Sequence, residues 1–114
     1  MQPTTAFDFG DVVLLPFPLT ERSPAKKRPA VVVSSRTYHQ ESGGLIVAPV
    51  TTKSEIEYPL EVVIKHWQEA GLLFASVARP VLATIEPSLT LKRLGRLHPE
   101  DRASLRSALV PLLG

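Results

Sequence analysis

The sequence contains no cysteine. This excludes disulfide bonds, thiolate zinc sites, iron–sulfur clusters and cysteine nucleophiles. Long apolar runs are also absent, since uncharged stretches such as residues 12–20 and 70–78 are well short of the roughly 18 residues of a membrane-spanning helix. The first eight residues lack the basic and apolar regions of a signal peptide. The sequence therefore predicts a cytoplasmic protein that does not insert into a membrane.

Motifs of the common phosphate-binding and hydrolytic sites are missing as well. The six glycines form neither a GxGxxG nor a GxxxxGK pattern, which excludes a P-loop. No serine lies in the Gly-x-Ser-x-Gly turn of esterases. The three histidines, His39, His66 and His98, are far apart in the chain, and none has a partner at i, i+4 spacing. We therefore expect no metal site and no cofactor, and we interpret His98 as a cap before the last helix.

The composition is that of one small globular domain. The chain has 114 residues, of which 44% are hydrophobic and 21% charged, so residues 1–114 are expected to share a single fold. Eleven prolines and six glycines favour short strands over long helices. The net charge is only +2, but residues 22–40 include five basic side chains and no acidic one. That segment is a candidate surface for an anion such as nucleic acid.

Apolar, β-branched runs separated by proline-containing or polar loops predict a mainly β fold. The expected strands lie at residues 10–17, 28–35, 45–51, 58–65 and 91–97, with one or two more at 72–86. We expect polar loops at residues 18–27 and 37–44, and Pro49 predicts an edge strand or a bulge. Leucines at helical spacing after Pro99 predict a C-terminal helix. The expected architecture is a small twisted barrel or half-barrel with this helix packed on it.

A basic segment beside hydroxyl-bearing residues suits a phosphodiester substrate. An arginine guanidinium can hold a phosphate through two N–H groups and offset the extra charge of a phosphorane transition state. If the substrate is RNA, its own 2′-OH can act as the nucleophile, so that neither a metal nor a covalent residue is required. A non-catalytic RNA-binding groove uses the same residue types, and composition leaves both interpretations open.

Ordered segments of the chain carry a family resemblance. The N-terminal one joins Phe9-Gly10-Asp11-Val12-Val13-Leu14-Leu15-Pro16-Phe17-Pro18 to Lys27-Arg28-Pro29-Ala30-Val31-Val32-Val33-Ser34-Ser35 across a basic loop. Further matching segments follow at residues 46–52, 67–72, 76–79, 83–86 and 94–97. Together these segments resemble the MazF/PemK family of toxins from bacterial toxin–antitoxin modules, and in particular its PemK-like branch.

The resemblance implies a homodimer of small SH3-like β-barrels of the CcdB/MazF/PemK type. It also implies a metal-independent, sequence-selective endoribonuclease, or mRNA interferase, that cleaves single-stranded RNA and is neutralised by a cognate antitoxin. By position, Arg28 matches the family's catalytic arginine, which stabilises the phosphorane, and Thr51 matches a threonine that hydrogen-bonds the scissile phosphate.

The resemblance also implies RNA contacts, which we expect from Lys26, Lys27, Thr52, Lys53 and Arg79. The chain departs from the family pattern two residues after Arg79, where many relatives have an acidic residue and this chain has Val81. A carboxylate general base is therefore not expected there. Glu21 is an alternative source of one, and an ordinary surface ion pair is the other interpretation of that glutamate.

Two further functions remain open from the sequence. One is a non-catalytic binding module on the same fold that acts on a protein target such as a topoisomerase, as the structurally similar CcdB toxins inhibit gyrase. The other is a relative that has lost its activity and only binds its antitoxin. Growth inhibition with intact cellular RNA would favour the first, and harmless overexpression would favour the second.

Overall fold

The computed structural model of the protein describes residues 7–17, 26–53 and 59–114. A short 3₁₀ turn at Pro87–Leu89 precedes the last strand. The elements of the described ranges are, in chain order, β1 (Asp11–Phe17), β2 (Lys26–Val32), α1 (Arg36–Ser42), β3 (Leu45–Thr52), β4 (Val62–Ile64), β5 (Ser76–Ala78), β6 (Ala83–Ile85), β7 (Lys92–Arg96) and α2 (Pro99–Leu113).

The strands form one curved, antiparallel sheet in the order β4-β5-β3-β2-β1-β7, and β6 pairs with the first half of β3. β3 therefore belongs to both halves of the sheet, since its second half pairs with β5. Helix α2 packs on β4. This architecture confirms the predicted mainly β half-barrel with a C-terminal helix.

Alternation along the strands explains why the sheet is buried on both faces. On β2, Val31 joins a cluster that includes Val12, Ile64 and Leu105 of α2. The neighbouring residues Ala30 and Val32 instead join a second cluster, built around Phe7, Val13, Leu15, Phe17, Leu45 and Val47. A strand with apolar side chains on both faces reads as a continuous apolar run. The valine run thus correctly predicted a strand that is covered on both sides.

Pro49 does not mark an edge strand, and that prediction is wrong. β3 is the central strand, and Pro49 faces Ala30 of β2. On the other side of β3, the pairing with β6 ends at Val47 and the pairing with β5 begins at Val50. Proline has no amide hydrogen to donate, so it is tolerated in the gap where one neighbouring strand replaces the other.

Helix α1 occupies most of the segment for which a loop was predicted at residues 37–44. Ser35 caps its start, because the Ser35 side chain accepts a hydrogen bond from the Tyr38 amide at 3.1 Å. Gly43 ends it in the left-handed region at φ 74°. The helix lacks an apolar stripe because the residue that it buries is His39. Hydrophobic periodicity therefore gave no signal for it.

The other boundaries differ by a few residues from those expected. β2 starts two residues earlier than predicted, at Lys26. The strand predicted at 58–65 is confined to β4, since Leu60 has a left-handed φ of 63° that breaks extended structure. Residues 72–86 supply two strands, β5 and β6, as expected. The predicted loop at 18–27 lies outside the described residues except for its last two positions.

Among the described residues, no helix is long and apolar enough to cross a membrane.

Two buried polar side chains join the helices to the sheet. Asp101, in the first turn of α2, accepts hydrogen bonds from the amides of Lys65 at 3.0 Å and His66 at 2.9 Å, which follow β4.

On α1, the Nδ1–H of His39 donates to the Phe7 carbonyl at 3.0 Å. Its Nε2 therefore accepts from the Ser34 hydroxyl at 2.6 Å, and the same hydroxyl oxygen accepts the Ile46 amide at 2.9 Å. Each side chain thus satisfies backbone groups that burial would leave without water.

The His39 contacts predict an acid-labile fold. Burial lowers the pKa of His39 from its ordinary value near 6.5, so the unfolded chain binds a proton that the folded one excludes. We expect the free energy of unfolding to fall as the pH drops below about 6.5, down to the pKa of the folded state. Arg36 lowers the pKa of Asp8 and Lys65 lowers that of Glu100, so these carboxylates lose their stabilising effect only near pH 4 and below.

Urea unfolding at pH 7.5 and 5.5 measures this dependence. His39→Gln should be less stable than the parent at pH 7.5, by about 1–3 kcal/mol for the disturbed buried hydrogen bonds. It should also lose less stability between the two pH values. An equal pH dependence in the parent and the variant would contradict the assignment to His39.

Candidate functional site

A groove of about 570 Å³ opens where β1, β2, β3 and β7 meet the segment that leads from β4 into β5. Its volume lies in the ordinary range of ligand sites. Its lining includes the basic residues Lys27, Arg28 and Lys92 and the consecutive apolar residues Leu72, Leu73 and Phe74, which form an apolar wall. Thr51, Thr52 and Ser76 add hydroxyl groups. The groove thus combines cations, hydroxyls and an apolar wall.

Arg28 is held in a defined position at the groove. It lies on β2 opposite Leu15 of β1, and its Nε–H donates to the Phe17 carbonyl at 2.8 Å. This bond fixes the plane of the guanidinium while it uses one of its five N–H groups. Among the described residues, no hydrogen-bond partner occupies the two terminal nitrogens. The remaining N–H groups have the planar, forked geometry that binds a phosphate.

Pairing of β2 with β3 brings Thr51 to the same groove. Ala30 faces Pro49 in this antiparallel pair, and the pairing ends there. Arg28 lies two residues before Ala30, Thr51 lies two residues after Pro49, and both line the groove. Thr51 is half-buried, and its hydroxyl makes a single long contact of 3.5 Å to the Thr52 carbonyl. That contact is weak, so the hydroxyl can be given to a ligand.

The predicted RNA-binding residues are only partly brought together. Lys27 and Thr52 line the groove, whereas Lys26 and Lys53 are exposed near it without lining it. Arg79 lies elsewhere, in a small apolar cleft with Leu60 and Leu109. The Arg79 guanidinium is also ion-paired with Glu61, with 3.3 Å between Nε and Oε2.

Sequence reasoning missed Lys92 as a residue of this groove. Lys92 lies on the strand expected at residues 91–97, but nothing in the sequence shows that β7 pairs with β1 at the edge of the sheet. The register sets Lys92 opposite Leu14, which also lines the groove. An exposed cation is thereby added to the side that already carries Lys27 and Arg28.

No acidic or histidine side chain of the described chain lines the groove. Val81, at the position where the family resemblance implies an acid, is exposed outside it. Glu21, the alternative source of a carboxylate, lies outside the described residues. The groove is therefore cationic, which favours an anionic ligand.

Gly71 fixes the apolar wall against the sheet. Its φ is 83°, and a Cβ at this position would lie 2.1 Å from the Leu94 carbonyl oxygen. A Cβ at Gly95 would lie 2.5 Å from the Ala70 carbonyl oxygen. The two backbones thus touch directly, as only glycine permits. The next residue, Leu72, is buried in the core, so the wall begins from an anchored point.

The structure brings together two histidines that the sequence keeps apart. The rings of His66 and His98 stack with 3.9 Å between their centroids, and Glu100 lies beside them. His98 Nδ1 accepts the Glu100 amide at 3.0 Å, which confirms the predicted cap. The proton of neutral His98 then sits on Nε2, so neither nitrogen offers a lone pair to a metal while the cap is intact. This cluster stabilises the start of α2, away from the groove.

Comparison with known proteins identifies the family. The model of PemK-like, MazF-like toxins of type II toxin–antitoxin systems matches residues 8–113. The chain belongs to this family. The endoribonuclease toxin MazF of Escherichia coli (strain K12) is 32% identical over 108 residues, which are 94% of each chain.

Members of this toxin family with solved structures share the fold. MazF from Deinococcus radiodurans superposes with a TM-score of 0.72 at 27% identity, over 95% of this chain and 96% of that one. The same toxin in a MazE–MazF complex gives a TM-score of 0.71 at 27% identity, with the same coverage. The fold of this chain is thus the MazF toxin fold along nearly its whole length.

The glycine contact predicts a difference between two otherwise similar substitutions. Gly43 and Gly71 both have left-handed φ values, but a Cβ at Gly43 would meet nothing within 4 Å. We expect Gly43→Ala to lower the free energy of unfolding by about 1–2 kcal/mol, the cost of the left-handed conformation for alanine. Gly71→Ala should lose more, because the new methyl group also displaces the Leu94 backbone. Urea unfolding of both variants measures this, and equal losses would show that the close approach is unimportant.

Proposed function

We propose that residues 1–114 form one toxin domain that acts as a metal-independent, sequence-selective endoribonuclease on single-stranded RNA. The observation that carries the proposal is the cationic groove that is lined by Thr51 and by Arg28, whose Nε–H is bound to the Phe17 carbonyl. The E. coli relative named endoribonuclease toxin supports it. We expect the protein to act in the cytoplasm, where bacterial RNA is found.

The groove suits a reaction in which RNA supplies its own nucleophile. The 2′-oxygen forms a bond to the adjacent phosphorus and loses its proton, while the bond from phosphorus to the 5′-oxygen breaks and that oxygen gains a proton. The products are a 2′,3′-cyclic phosphate and a 5′-hydroxyl. Negative charge builds on the phosphate oxygens in between, and donors aimed at those oxygens accelerate this step.

Arg28 is the residue to which we assign charge stabilisation. Arg28 lines the groove, and the bond from its Nε to the Phe17 carbonyl orients the guanidinium before substrate arrives. Preorganised donors of this kind need no rearrangement during the reaction. We assign to Thr51 one hydrogen bond to the same phosphate.

Basic residues around Arg28 are assigned to binding the RNA backbone. Lys27 and Lys92 line the groove, and Lys26 and Lys53 extend its positive field. Phosphate contacts of this type position RNA without reading its sequence. Thr52 remains a proposed contact, since it lines the groove. Arg79 lies in a separate cleft, and its contact with RNA also remains a proposal.

Two protein partners accompany the proposed activity. The family description pairs these toxins with an antitoxin, and the D. radiodurans relative was solved together with MazE. We propose that an acidic segment of a cognate antitoxin competes with RNA for the cationic groove. The homodimer implied by the resemblance also remains a proposal. The apolar side chains of Leu60, Val110 and Leu113, which are exposed on and near α2, offer a surface for it.

Substitution of Arg28 tests the proposed function. The assay incubates purified protein with a long single-stranded RNA in EDTA and maps the product ends. The parent should cut at discrete sites and leave 5′-hydroxyl ends. Arg28→Ala should cut about 10²–10³-fold more slowly, since it removes preorganised transition-state donors. Arg28→Lys should rescue only part of that loss, because an ammonium group lacks the planar fork. Thr51→Val should cost less than Arg28→Ala.

Arg106→Ala is the matched control, because Arg106 lies over the Phe9 ring, with 4.3 Å from its Cζ to the centroid, outside the groove. It should cut like the parent. If Arg28→Ala cut as fast as the parent, the catalytic assignment would be wrong. Intact RNA with the parent, together with retained growth inhibition in cells, would instead favour the protein-targeting alternative.

A further inference from the structure

Phe74 differs from the other phenylalanines of the chain. Of the four, Phe7 and Phe17 are buried and Phe9 packs against the core. Phe74 is 63% exposed, and its neighbour Leu73 is 82% exposed. Both line the groove that holds Arg28 and Thr51. An aromatic ring that is left in water contributes little to the core, and its position in a groove suggests a ligand.

The backbone beneath this ring is held at both ends. Leu72 is buried in the core on one side. On the other side, the buried Ser76 hydroxyl donates to the Phe74 carbonyl at 2.6 Å, and the Lys53 amide donates to the Ala75 carbonyl at 2.8 Å. The ring is thus exposed on an anchored segment, so a ligand does not have to order a loose loop in order to use it.

Strand pairing places this ring next to the proposed reaction centre. Ser76 faces Thr52, and Val77 faces Thr51. Phe74 precedes Ser76 by two residues and lines the same groove as Arg28 and Lys92. A flat apolar surface beside cations is the composition of sites for single-stranded nucleic acid, where cations contact phosphates and aromatic rings stack on bases. A purely apolar peptide would not explain why cations line the same groove.

We propose that Phe74 is a base-stacking residue, and that it holds a nucleobase of single-stranded RNA close to the phosphate bound by Arg28 and Thr51. This inference rests on the proposed function for the identity of the ligand. Stacking on Phe74 fixes the orientation of the nucleotide beside the reacting phosphate. It tolerates every base, because each has an aromatic face. Base selectivity must then come from hydrogen-bonding groups elsewhere.

Binding to two oligonucleotides tests the inference without a need to know the cleavage site. The first probe is a fluorescein-labelled single-stranded 12-mer of mixed sequence with 2′-fluoro groups, which lacks the 2′-OH nucleophile. The second is the same chain with its bases removed. Phe74→Ala should weaken binding of the first probe roughly 5- to 150-fold, the range of one base–aromatic stack. It should leave binding of the abasic probe unchanged.

Three further variants make the result specific to stacking. Phe74→Trp should bind the base-containing probe at least as well as the parent, because it restores a stacking surface. Lys92→Ala should weaken both probes, since it removes a phosphate contact. Leu89→Ala removes an exposed apolar side chain outside the groove and should change neither. Thermal unfolding of Phe74→Ala should match the parent, because the ring is mostly exposed.

The outcomes separate this inference from the proposed function. If the parent binds the 12-mer but does not cleave RNA, and Phe74→Ala loses binding of the base-containing probe alone, the nuclease proposal fails while the stacking site stands. Unchanged binding by Phe74→Ala would overturn the stacking site. An equal loss on both probes would overturn it as well, because that is the signature of a structural role. Weakened antitoxin binding with unchanged RNA binding would assign Phe74 to a peptide instead.

Discussion

The antiparallel pairing of β2 with β3 is the constraint on which the rest of the structure depends. β3 is shared by both halves of the sheet, and its register with β2 sets Ala30 against Pro49. Arg28 and Thr51 lie just beyond the end of this pairing, and both line the groove. A slip of one residue would exchange the two faces of β2, so that Val31 would turn into the cluster that now holds Ala30 and Val32, and these two would turn into its cluster. The fit of these residues in their two clusters therefore also fixes the position of β2, the strand that carries Arg28.

Features outside this strand pair complete the groove. The contact between Gly71 and the Leu94 backbone sets the apolar wall at a fixed place against β7. Pairing of β7 with β1 adds Lys92 to the cationic side. The described part of the groove holds no carboxylate or imidazole. Charge stabilisation and positioning by Arg28 are therefore the main contributions that this surface can make to phosphodiester chemistry.

Local patterns predicted most of the fold but could not predict which distant residues meet. The valine run of β2 and the His98 cap could be predicted, because each depends on neighbouring residues. Helix α1 was not predicted, since it buries a histidine and has no apolar stripe. Pro49 led to the wrong prediction of an edge strand, because the sequence does not show that β3 changes its pairing partner from β6 to β5 around this residue. Lys92, Phe74 and the His66–His98 stack depend on contacts between separate elements, which the sequence pattern does not contain.

In the proposed function, the groove lets RNA act as its own nucleophile. The most direct measurement analyses the products of an RNA cut in EDTA by mass spectrometry, beside the same RNA with a 2′-deoxy sugar at the mapped cleavage site. We expect 2′,3′-cyclic phosphate and 5′-hydroxyl ends from the RNA, and no cleavage of the 2′-deoxy substrate. Products with a 5′-phosphate, or cleavage of the 2′-deoxy substrate at the same site, would contradict this expectation.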